Sequence, residues 1–447
     1  MGKGRGGGEM SKKAKRGGRV TPKKGRAPGD GVVPGFSNDE RPGLAKIFAR
    51  VLRGARRELP ADADPLTAEL WASHLCAVWH GQHLVDQDSE EVFCGGLIDH
   101  ASAQHTPEAL RVLRALAAVV PEPYRQRAEK GADPLAGAGW AEPAWAEHLG
   151  LARPTEAWLV SDPVDDDGVS VIVGFDAYDS SHALGVYVDH NLGGIAKDAF
   201  MAGPITEALA VLEASAEPGV QCRQISLTEA AARIGAAIGE TDQTWQPPVT
   251  EDLRQLRALV LARLEALPKG GVFLVPEPPD EEEREVLLEE FLASDEAVDL
   301  GGPHGENADE VEHLAFQVLT YSLDYAVGTP LRFSPVMVEI FCCDWAPRKI
   351  AGDGDSFSLL PDVLQAWIRF VGRRRQIPEG RIEEAVVAVD KHTHEMLEAA
   401  DDPEAWGPAK AMVLAMRRRG IDLSDPAAVQ ACVDEVNVGG GLDSLLP

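Results

Sequence analysis

Two spacings of apolar residues divide the chain. In the segment RPGLAKIFARVLRGAR, which begins at Arg41, apolar residues recur every three or four positions, as on the buried face of a helix. In VSVIVGF, the residues Val169, Val171, Val173 and Phe175 alternate with others, as on one face of a strand. The change of spacing predicts a predominantly helical α+β protein, with a short stretch of strands between two helical regions.

Residues 38–150 show the helical spacing and predict an N-terminal helical domain. The segment TPEALRVLRALAAVV has Thr106 as its predicted N-cap and Pro107 in its first turn, and both favour the start of a helix. Residues 131–150 are rich in glycine, alanine and proline, and we expect them to form an irregular connector.

Residues 151–272 predict an α+β domain. Three apolar runs, EAWLVS, VSVIVGF and HALGVYV, follow one another with only DPVDDDG and DAYDSS between them. Short loops of this kind join neighbouring antiparallel strands, so the runs predict a small antiparallel β-meander. Two helices should follow, one beginning near Thr228 and one with Thr250 as its N-cap, and we expect helices to cover the sheet.

Residues 280–447 predict a helical C-terminal domain, because their amphipathic segments are separated by glycine, proline and aspartate. The pair Cys342–Cys343 lies in the apolar run VMVEIFCCDW, and we expect it in the core. Asp390, His394 and Glu398 recur at steps of four, which predicts an exposed row of ion pairs rather than a set of metal ligands.

Charge is distributed unevenly along the chain. The first 28 residues contain ten basic residues and one acidic residue, whereas the whole chain has a formal net charge of -29. Residues 1–37 have little apolar surface to bury, so we expect a disordered basic arm. The arm either solubilises the chain beside its acidic body or binds nucleic acid. We favour the first, because its basic part has no aromatic residue to stack on bases.

Composition narrows the class of protein. Hydrophobic residues make up 44% of the chain and charged residues 26%, which is typical of a soluble globular protein. No apolar run approaches the roughly 18 residues of a membrane span, and no apolar stretch follows the basic N-terminus as in a signal peptide. Six cysteines are too few for a disulfide scaffold, so we expect a cytoplasmic protein without a membrane partner.

The segment GVYVDHNLGG raises a choice between a turn and the rim of an active site. Its aspartate and asparagine side chains suit a turn, and Gly193 and Gly194 can adopt positive φ, so the simpler interpretation is a turn that ends a strand. The alternative is a catalytic set in which His190 works with Lys197 or Asp198 across the turn.

Histidine and cysteine residues are concentrated between residues 74 and 105, where five of the twelve histidines lie. On a helix, Cys76, His80 and His83 would share one stripe, and Cys94 or His100 would be the fourth zinc ligand. The spacing matches no established zinc signature, and the stripe borders an apolar helix face. We therefore expect a packed helix pair without metal.

The chain lacks the glycine-rich phosphate loops, the nucleophile elbow of serine hydrolases and the His-Glu-x-x-His zinc motif. We therefore predict a non-enzymatic protein that binds or scaffolds other proteins, without a cofactor. The first alternative is a metal-dependent hydrolase that uses one of the two histidine-containing sites, with zinc at the histidine–cysteine cluster. The second is a nucleic-acid-binding protein that acts through residues 1–37.

The predicted arm gives a direct test. A chain that begins at Phe36 should unfold within about 1 °C of the full chain, because the removed residues bury almost no apolar surface. Differential scanning calorimetry of the two chains measures this difference. A clearly lower melting temperature for the shorter chain would show that the arm packs on the body.

Overall fold

The structure is a computed structural model of the chain, and it describes residues 41–79, 88–177, 180–215, 219–301, 305, 307–351 and 354–439. Within these residues, helices flank one five-stranded antiparallel sheet, which confirms the predicted helix-rich α+β fold. The predicted arm, residues 1–37, lies outside the described residues. None of the described helices is both long and apolar enough to cross a membrane.

The region before the sheet is helical, as predicted. Its helices are α1 (Arg41–Glu58), α2 (Pro65–Cys76), α3 (Gly96–Ser102), α4 (Pro107–Val119) and α5 (Tyr124–Gly137), and a π-helical turn (Glu91–Gly95) leads into α3. Thr106 caps α4 as predicted, because its hydroxyl accepts a hydrogen bond from the Ala109 N–H at 3.2 Å.

The predicted connector at 131–150 is shorter than expected. Helix α5 continues through Pro134 to Gly137, so the prediction is wrong for the first seven residues. Ala132 and Leu135 are buried, and α5 packs on α4. This packing outweighs the backbone hydrogen bond that a proline inside a helix removes. Beyond Gly137 the chain is irregular except for a short 3-10 turn, as predicted.

The sheet has the strand order β4-β3-β2-β1-β5, and all neighbouring strands are antiparallel. Its strands are β1 (Arg153–Ser161), β2 (Gly168–Ala177), β3 (Ser180–Asp189), β4 (Ile195–Ala202) and β5 (Gln221–Ile225). The first three are the predicted meander, which is confirmed. Strands β4 and β5, which form the two edges, were not predicted from the sequence.

Helices cover both faces of the sheet. They are α6 (Ile205–Ser215), α7 (Leu227–Gln243) and α8 (Glu251–Glu265). On one face, Val171 and Val186 belong to the same buried cluster as residues of α7 and α8. On the other face, Ile172 and Ala183 pack with Ile205 of α6. Cover by the two helices that follow the sheet is thus confirmed, and α6 adds a layer that the sequence analysis did not place.

The region after the sheet is also helical. Its helices are α9 (Glu281–Leu292), α10 (Asp295–Val298), α11 (Ala308–Thr320), α12 (Pro335–Ile340), α13 (Ala346–Lys349), α14 (Gly354–Arg374), α15 (Glu379–Asp401), α16 (Pro408–Arg418) and α17 (Pro426–Gly439), with π-helical turns at Tyr321–Tyr325 and Phe341–Trp345.

The large apolar clusters fall into two parts. One runs from Phe48 to Leu267 and joins the first helices to the sheet, and the other runs from Leu287 to Ala400. Buried residues on both sides of residue 150 therefore share one cluster. The domain boundaries near residues 150 and 280 remain predictions.

A buried ion pair joins the first helices to the sheet and its covering helix. The Arg263 guanidinium of α8 contacts the Glu69 carboxylate of α2, and their side chains are 3% and 4% exposed. Arg263 Nε also donates a hydrogen bond to His182 Nε2 of β3 at 3.3 Å. Burial, and then the neighbouring guanidinium, lower the pKa of His182 to about 4, so the imidazole is neutral at pH 7 and can accept this bond.

Removing one partner of this pair should be costly, because it leaves a buried charge without compensation. We expect Arg263→Met to lower the free energy of unfolding by about 3–5 kcal/mol. Arg125→Met is the matched control. It breaks an ion pair to Glu265 whose side chains are 27% and 50% exposed, and it should cost less than about 1 kcal/mol. Urea unfolding measures both, and equal losses would contradict the assignment.

Candidate functional site

The segment GVYVDHNLGG ends β3 in a turn. The Asp189 carboxylate accepts hydrogen bonds from the backbone N–H groups of Asn191 at 2.9 Å and Leu192 at 3.2 Å. Gly193 has a φ of 76° and Gly194 a φ of 81°, in the left-handed region that glycine occupies without steric cost. The predicted positive φ is confirmed at both glycines.

The three residues proposed from the sequence as a catalytic set have separate partners. His190 Nδ1 lies 3.0 Å from Asp166 Oδ1. Lys197 Nζ donates a hydrogen bond to Asp189 at 2.5 Å. The Asp198 carboxylate accepts a hydrogen bond at 2.6 Å from the hydroxyl that caps α8. These contacts do not join His190, Lys197 and Asp198 into one hydrogen-bonded set, and a catalytic role for them remains a prediction.

Asp166, in the loop between β1 and β2, joins the sheet to the C-terminal helices. Besides meeting His190, its carboxylate accepts hydrogen bonds from Thr329, at 2.7 Å from the backbone N–H and at 2.8 Å from the hydroxyl. The His190 carbonyl accepts a further bond from the Val327 N–H at 2.9 Å. The β1–β2 loop and the turn after β3 therefore both form hydrogen bonds with the segment that contains Val327 and Thr329.

Asp167 extends this contact. Its carboxylate accepts hydrogen bonds from Asn191 at 2.7 Å and from the Ser334 hydroxyl at 2.5 Å, and it lies 3.3 Å from the Arg332 guanidinium. Ser334 is also the N-cap of α12. Arg332 is 1% exposed, so its charge is buried beside carboxylates and carbonyls. We call residues 165–167, His190 and residues 327–334 the acidic junction.

Backbone conformations at and near the acidic junction are unusual for residues with a side chain. Asp166 has a φ of 48°, and Leu331 and Gln376 each have a φ of 57°. Arg375 donates a hydrogen bond to the Leu331 carbonyl at 3.4 Å, which joins the chain just after α14 to the segment before α12. Such conformations persist only where surrounding contacts hold them, so the junction is tightly specified.

The pKa values of two adjacent carboxylates of the junction are shifted in opposite directions. Burial raises the pKa of Asp165 to about 6, although Arg381 opposes the shift; Asp167 and Asp162 add to it. Burial would raise the pKa of Asp166 as well, but the hydrogen bond and charge of His190, together with the bonds from Thr329, hold that pKa below its usual value. Asp166 is therefore stabilised as an anion, whereas Asp165 is destabilised as one.

Three of the five zinc ligands proposed from the sequence, Cys76, Cys94 and His100, lie within the described residues. His80 and His83 lie outside the described residues. Cys76 ends α2, and Cys94 lies in the first π-helical turn. Burial raises the pKa of both thiols, that of Cys94 to about 12, as for thiols packed in a core. The ring of His100 packs against a phenylalanine of α1 at 5.9 Å between centroids. The metal prediction here remains untested.

A different cysteine–histidine pair lies among the C-terminal helices. Cys343 Sγ is 3.3 Å from His392 Nδ1. Glu395 Oε2 lies 3.9 Å from the same nitrogen, and Glu339 Oε2 lies 3.8 Å from His392 Nε2. Across the described residues, Cys343, His392 and Glu395 form the one group of three possible metal ligands whose atoms all lie within 4.8 Å of one another.

The two adjacent cysteines of the π-helical turn at Phe341–Trp345 lie in different surroundings. Cys342 is fully buried, as predicted, whereas Cys343 is only partly buried and meets His392 of α15. Cys343 packs against the C-terminal apolar cluster without being fully buried, so the expectation that both lie in the core is met fully only by Cys342. Farther along α15, the exposed side chains of His394 and Glu398 pair at 3.4 Å, as predicted, whereas Asp390, the third member of the predicted row, accepts a hydrogen bond from Gln365 at 2.6 Å.

An exposed apolar segment follows α8. We call residues 271–275 the apolar segment. Val272 is 89% exposed, Leu274 95% and Val275 52%, and no other described large apolar side chains are as exposed as the first two. Phe273 points the other way, with the Arg233 guanidinium 4.6 Å from its ring centroid.

Comparisons of the chain with protein-family models, with curated proteins and with solved structures found no match, so its function is argued from its own geometry.

The opposite pKa shifts at the acidic junction predict opposite effects of the same substitution. Asp165→Asn should raise the free energy of unfolding by about 1 kcal/mol at pH 7, because it removes a carboxylate that the folded state disfavours. The gain should fade as the pH drops from about 6 to 4, where Asp165 is already protonated in the folded chain.

Asp166→Asn is the matched variant, and asparagine also tolerates a positive φ. It should lower stability at pH 7 by at least about 1 kcal/mol, because the folded state favours this anion. The loss should shrink only as the pH falls into the acid range where Asp166 itself protonates. Urea unfolding at several pH values measures both variants. Effects of the same sign at pH 7 would contradict this account of the junction.

Proposed function

We propose that this chain is a non-enzymatic protein that binds a partner protein through the apolar segment. The observation that carries the proposal is the exposure of Val272 and Leu274, at 89% and 95%. Monomeric soluble proteins rarely place adjoining large aliphatic side chains fully in water, and such patches are typical of interaction sites. Burial of each side chain by a partner would contribute roughly 1.5–3 kcal/mol.

The apolar segment is held in place from its inner side. A Cβ atom on Gly271 would lie 2.0 Å from the Thr228 carbonyl oxygen, so the backbone lies directly against the start of α7. Phe273 stacks on Arg233. Alternate residues therefore anchor the segment while Val272 and Leu274 face outward, which is the alternation of an extended chain. Such preorganisation lowers the entropy lost on binding.

The backbone of this segment is available for pairing. No backbone–backbone hydrogen bond involves residues 271–275 in the described structure. An extended segment with unpaired amides and alternate apolar side chains suits addition to the edge of a partner's sheet. Pro276, Pro278 and Pro279 follow at once and lack the N–H that a longer ladder needs. The partner that fits is a protein with a sheet edge beside an apolar groove.

The acidic residues that follow the apolar segment indicate the charge that a partner's surface should carry. Glu277 and the capping residue Asp280 follow the apolar segment, and the first turn of α9 adds Glu281, Glu282 and Glu283. A partner with basic residues beside its groove would meet this acidic flank favourably. We place the interaction in the cytoplasm, a proposal supported by the six cysteines, none of which is in a disulfide. Nucleic-acid binding through residues 1–37 has no supporting observation in the described residues.

The test compares charge substitutions at matched exposed positions. Three forms of the chain are immobilised on a resin and incubated with extract from the source cells. They are the wild type, the variant Val272→Asp/Leu274→Asp and the control Val298→Asp/Val387→Asp. Proteins retained by the wild type and the control, but not by the first variant, are then purified. Loss of two buried aliphatic side chains should weaken the binding of a true partner by about 100-fold in titration calorimetry.

A synthetic peptide of residues 270–281 should compete for that partner. The proposal fails if every purified candidate binds the wild type and the Val272→Asp/Leu274→Asp variant equally. It also fails if sedimentation shows that the apolar segment is buried by a second copy of the chain, since its occupant would then be the protein itself.

A further inference from the structure

The geometry points to a zinc site that none of the sequence motifs indicates. We infer that Cys343 Sγ, His392 Nδ1 and a Glu395 carboxylate oxygen bind one Zn²⁺, with water as the fourth ligand. This inference is independent of the proposed protein binding and departs from the expectation that the chain has no cofactor. It also differs in place from the histidine–cysteine cluster of residues 74–105.

The distances suit a tetrahedral ion. Zinc bonds of about 2.3 Å to sulfur and 2.0–2.2 Å to nitrogen and oxygen place neighbouring ligand atoms roughly 3.2–3.6 Å apart. The Cys343 Sγ to His392 Nδ1 distance is 3.3 Å, and the His392 Nδ1 to Glu395 Oε2 distance is 3.9 Å. The Cys343 Sγ to Glu395 carboxylate distance lies within 4.8 Å, so the Glu395 side chain, 54% exposed, must move closer to complete the set.

Rigid elements hold the other two ligands. His392 is 7% exposed and lies three residues before Glu395 on α15, so both project from one helix face. Cys343 is held by the π-helical turn, where Phe341 and Trp345 stack at 5.5 Å between centroids. Ligands on packed helices keep their geometry better than ligands on loops.

The second imidazole nitrogen, His392 Nε2, lies near a carboxylate. Glu339 Oε2 lies 3.8 Å from His392 Nε2, on the side away from Cys343. In metal sites the nitrogen that does not bind the ion usually donates its N–H to a carboxylate, which fixes the tautomer and makes the other nitrogen a better ligand. Glu339, on α12, is beyond hydrogen-bond distance and would take that role after a side-chain movement of about 1 Å.

Charge around the imidazole favours a cation. Both Glu339 and Glu395 lie within 4 Å of the His392 ring, and neither forms an ion pair with a lysine or arginine of the described residues. Arg348, on α13, pairs instead with Asp344 at 3.2 Å. A thiolate beside two carboxylates would be repulsive without a divalent ion between them.

The types of ligand atom in this group indicate which metal ion it would bind. One thiolate, one imidazole and one carboxylate suit zinc, whereas calcium and magnesium prefer oxygen ligands only. On binding, the Cys343 thiol loses its proton to solvent as the sulfur–zinc bond forms, so uptake releases one proton. Because the Glu395 side chain is 54% exposed, solvent can supply the fourth ligand that a tetrahedral zinc ion needs.

The experiment titrates the full chain, stripped of metal with a chelator, with Zn²⁺ by calorimetry and with Co²⁺ by absorption. We expect one ion per chain and a sulfur-to-cobalt charge-transfer band, which only a thiolate ligand produces. Cys343→Ser should abolish the band, and His392→Gln should weaken zinc affinity by more than 100-fold. Glu339→Gln should weaken it by about 10–100-fold while leaving the band in place.

Matched controls separate this site from others. Cys222→Ser and His394→Gln, a half-buried cysteine and an exposed histidine outside the group, should leave affinity and band unchanged. Circular dichroism checks that each variant is folded, and two separate ligand variants guard against a single folding failure. The inference is overturned if the chain takes up no zinc. It is equally overturned if uptake survives Cys343→Ser and His392→Gln, or if Cys76→Ser abolishes it instead.

Discussion

The attachment of the C-terminal helices to the sheet depends on keeping charged carboxylates in a partly buried loop, in which Asp166 is buried. The two large apolar clusters are separate, one ending at Leu267 and the other beginning at Leu287. Polar groups link the two parts, with Asp166 and Asp167 bonded to Thr329, Ser334 and other donors of the acidic junction. Directional bonds to a buried anion tolerate little displacement. They therefore specify one orientation where apolar packing alone would permit several.

The fold was predictable where a residue's local chemistry decides the structure. The caps at Thr106 and Thr250 depend on one side chain and a neighbouring amide, and both were found from the sequence. Edge strand β5 was not, because three of its five residues are exposed and only Ile225 is buried, which leaves no apolar alternation to detect. The extension of α5 through Pro134 was missed for the opposite reason. Its cause is packing against α4, which no local pattern reports.

The sites were less predictable, because they depend on distance in space. The turn at Gly193 could be found from glycine and aspartate alone. The partner of His190 could not, since Asp166 lies 24 residues away across the strand pair. Cys343 and His392 are 49 residues apart and share no motif. The useful signal was present only in part: a cysteine pair in an apolar helix, and a His-x-x-Glu spacing in α15 that was overlooked beside the exposed His394.

The π-helical turn at Phe341–Trp345 has a consequence for how this region tolerates changes in length. An α-helix advances by about 100° per residue, and a π-helical turn holds one residue more than an α-helical turn. Deleting one residue here would remove the extra residue of the π-helical turn, although Pro347 would still leave one backbone hydrogen bond unmade. It would also rotate one flank of the helix relative to the other by that angle. Cys342 and Cys343 could not then both keep their present surroundings, so even a deletion that keeps this region helical would change which thiol is fully buried and which meets His392.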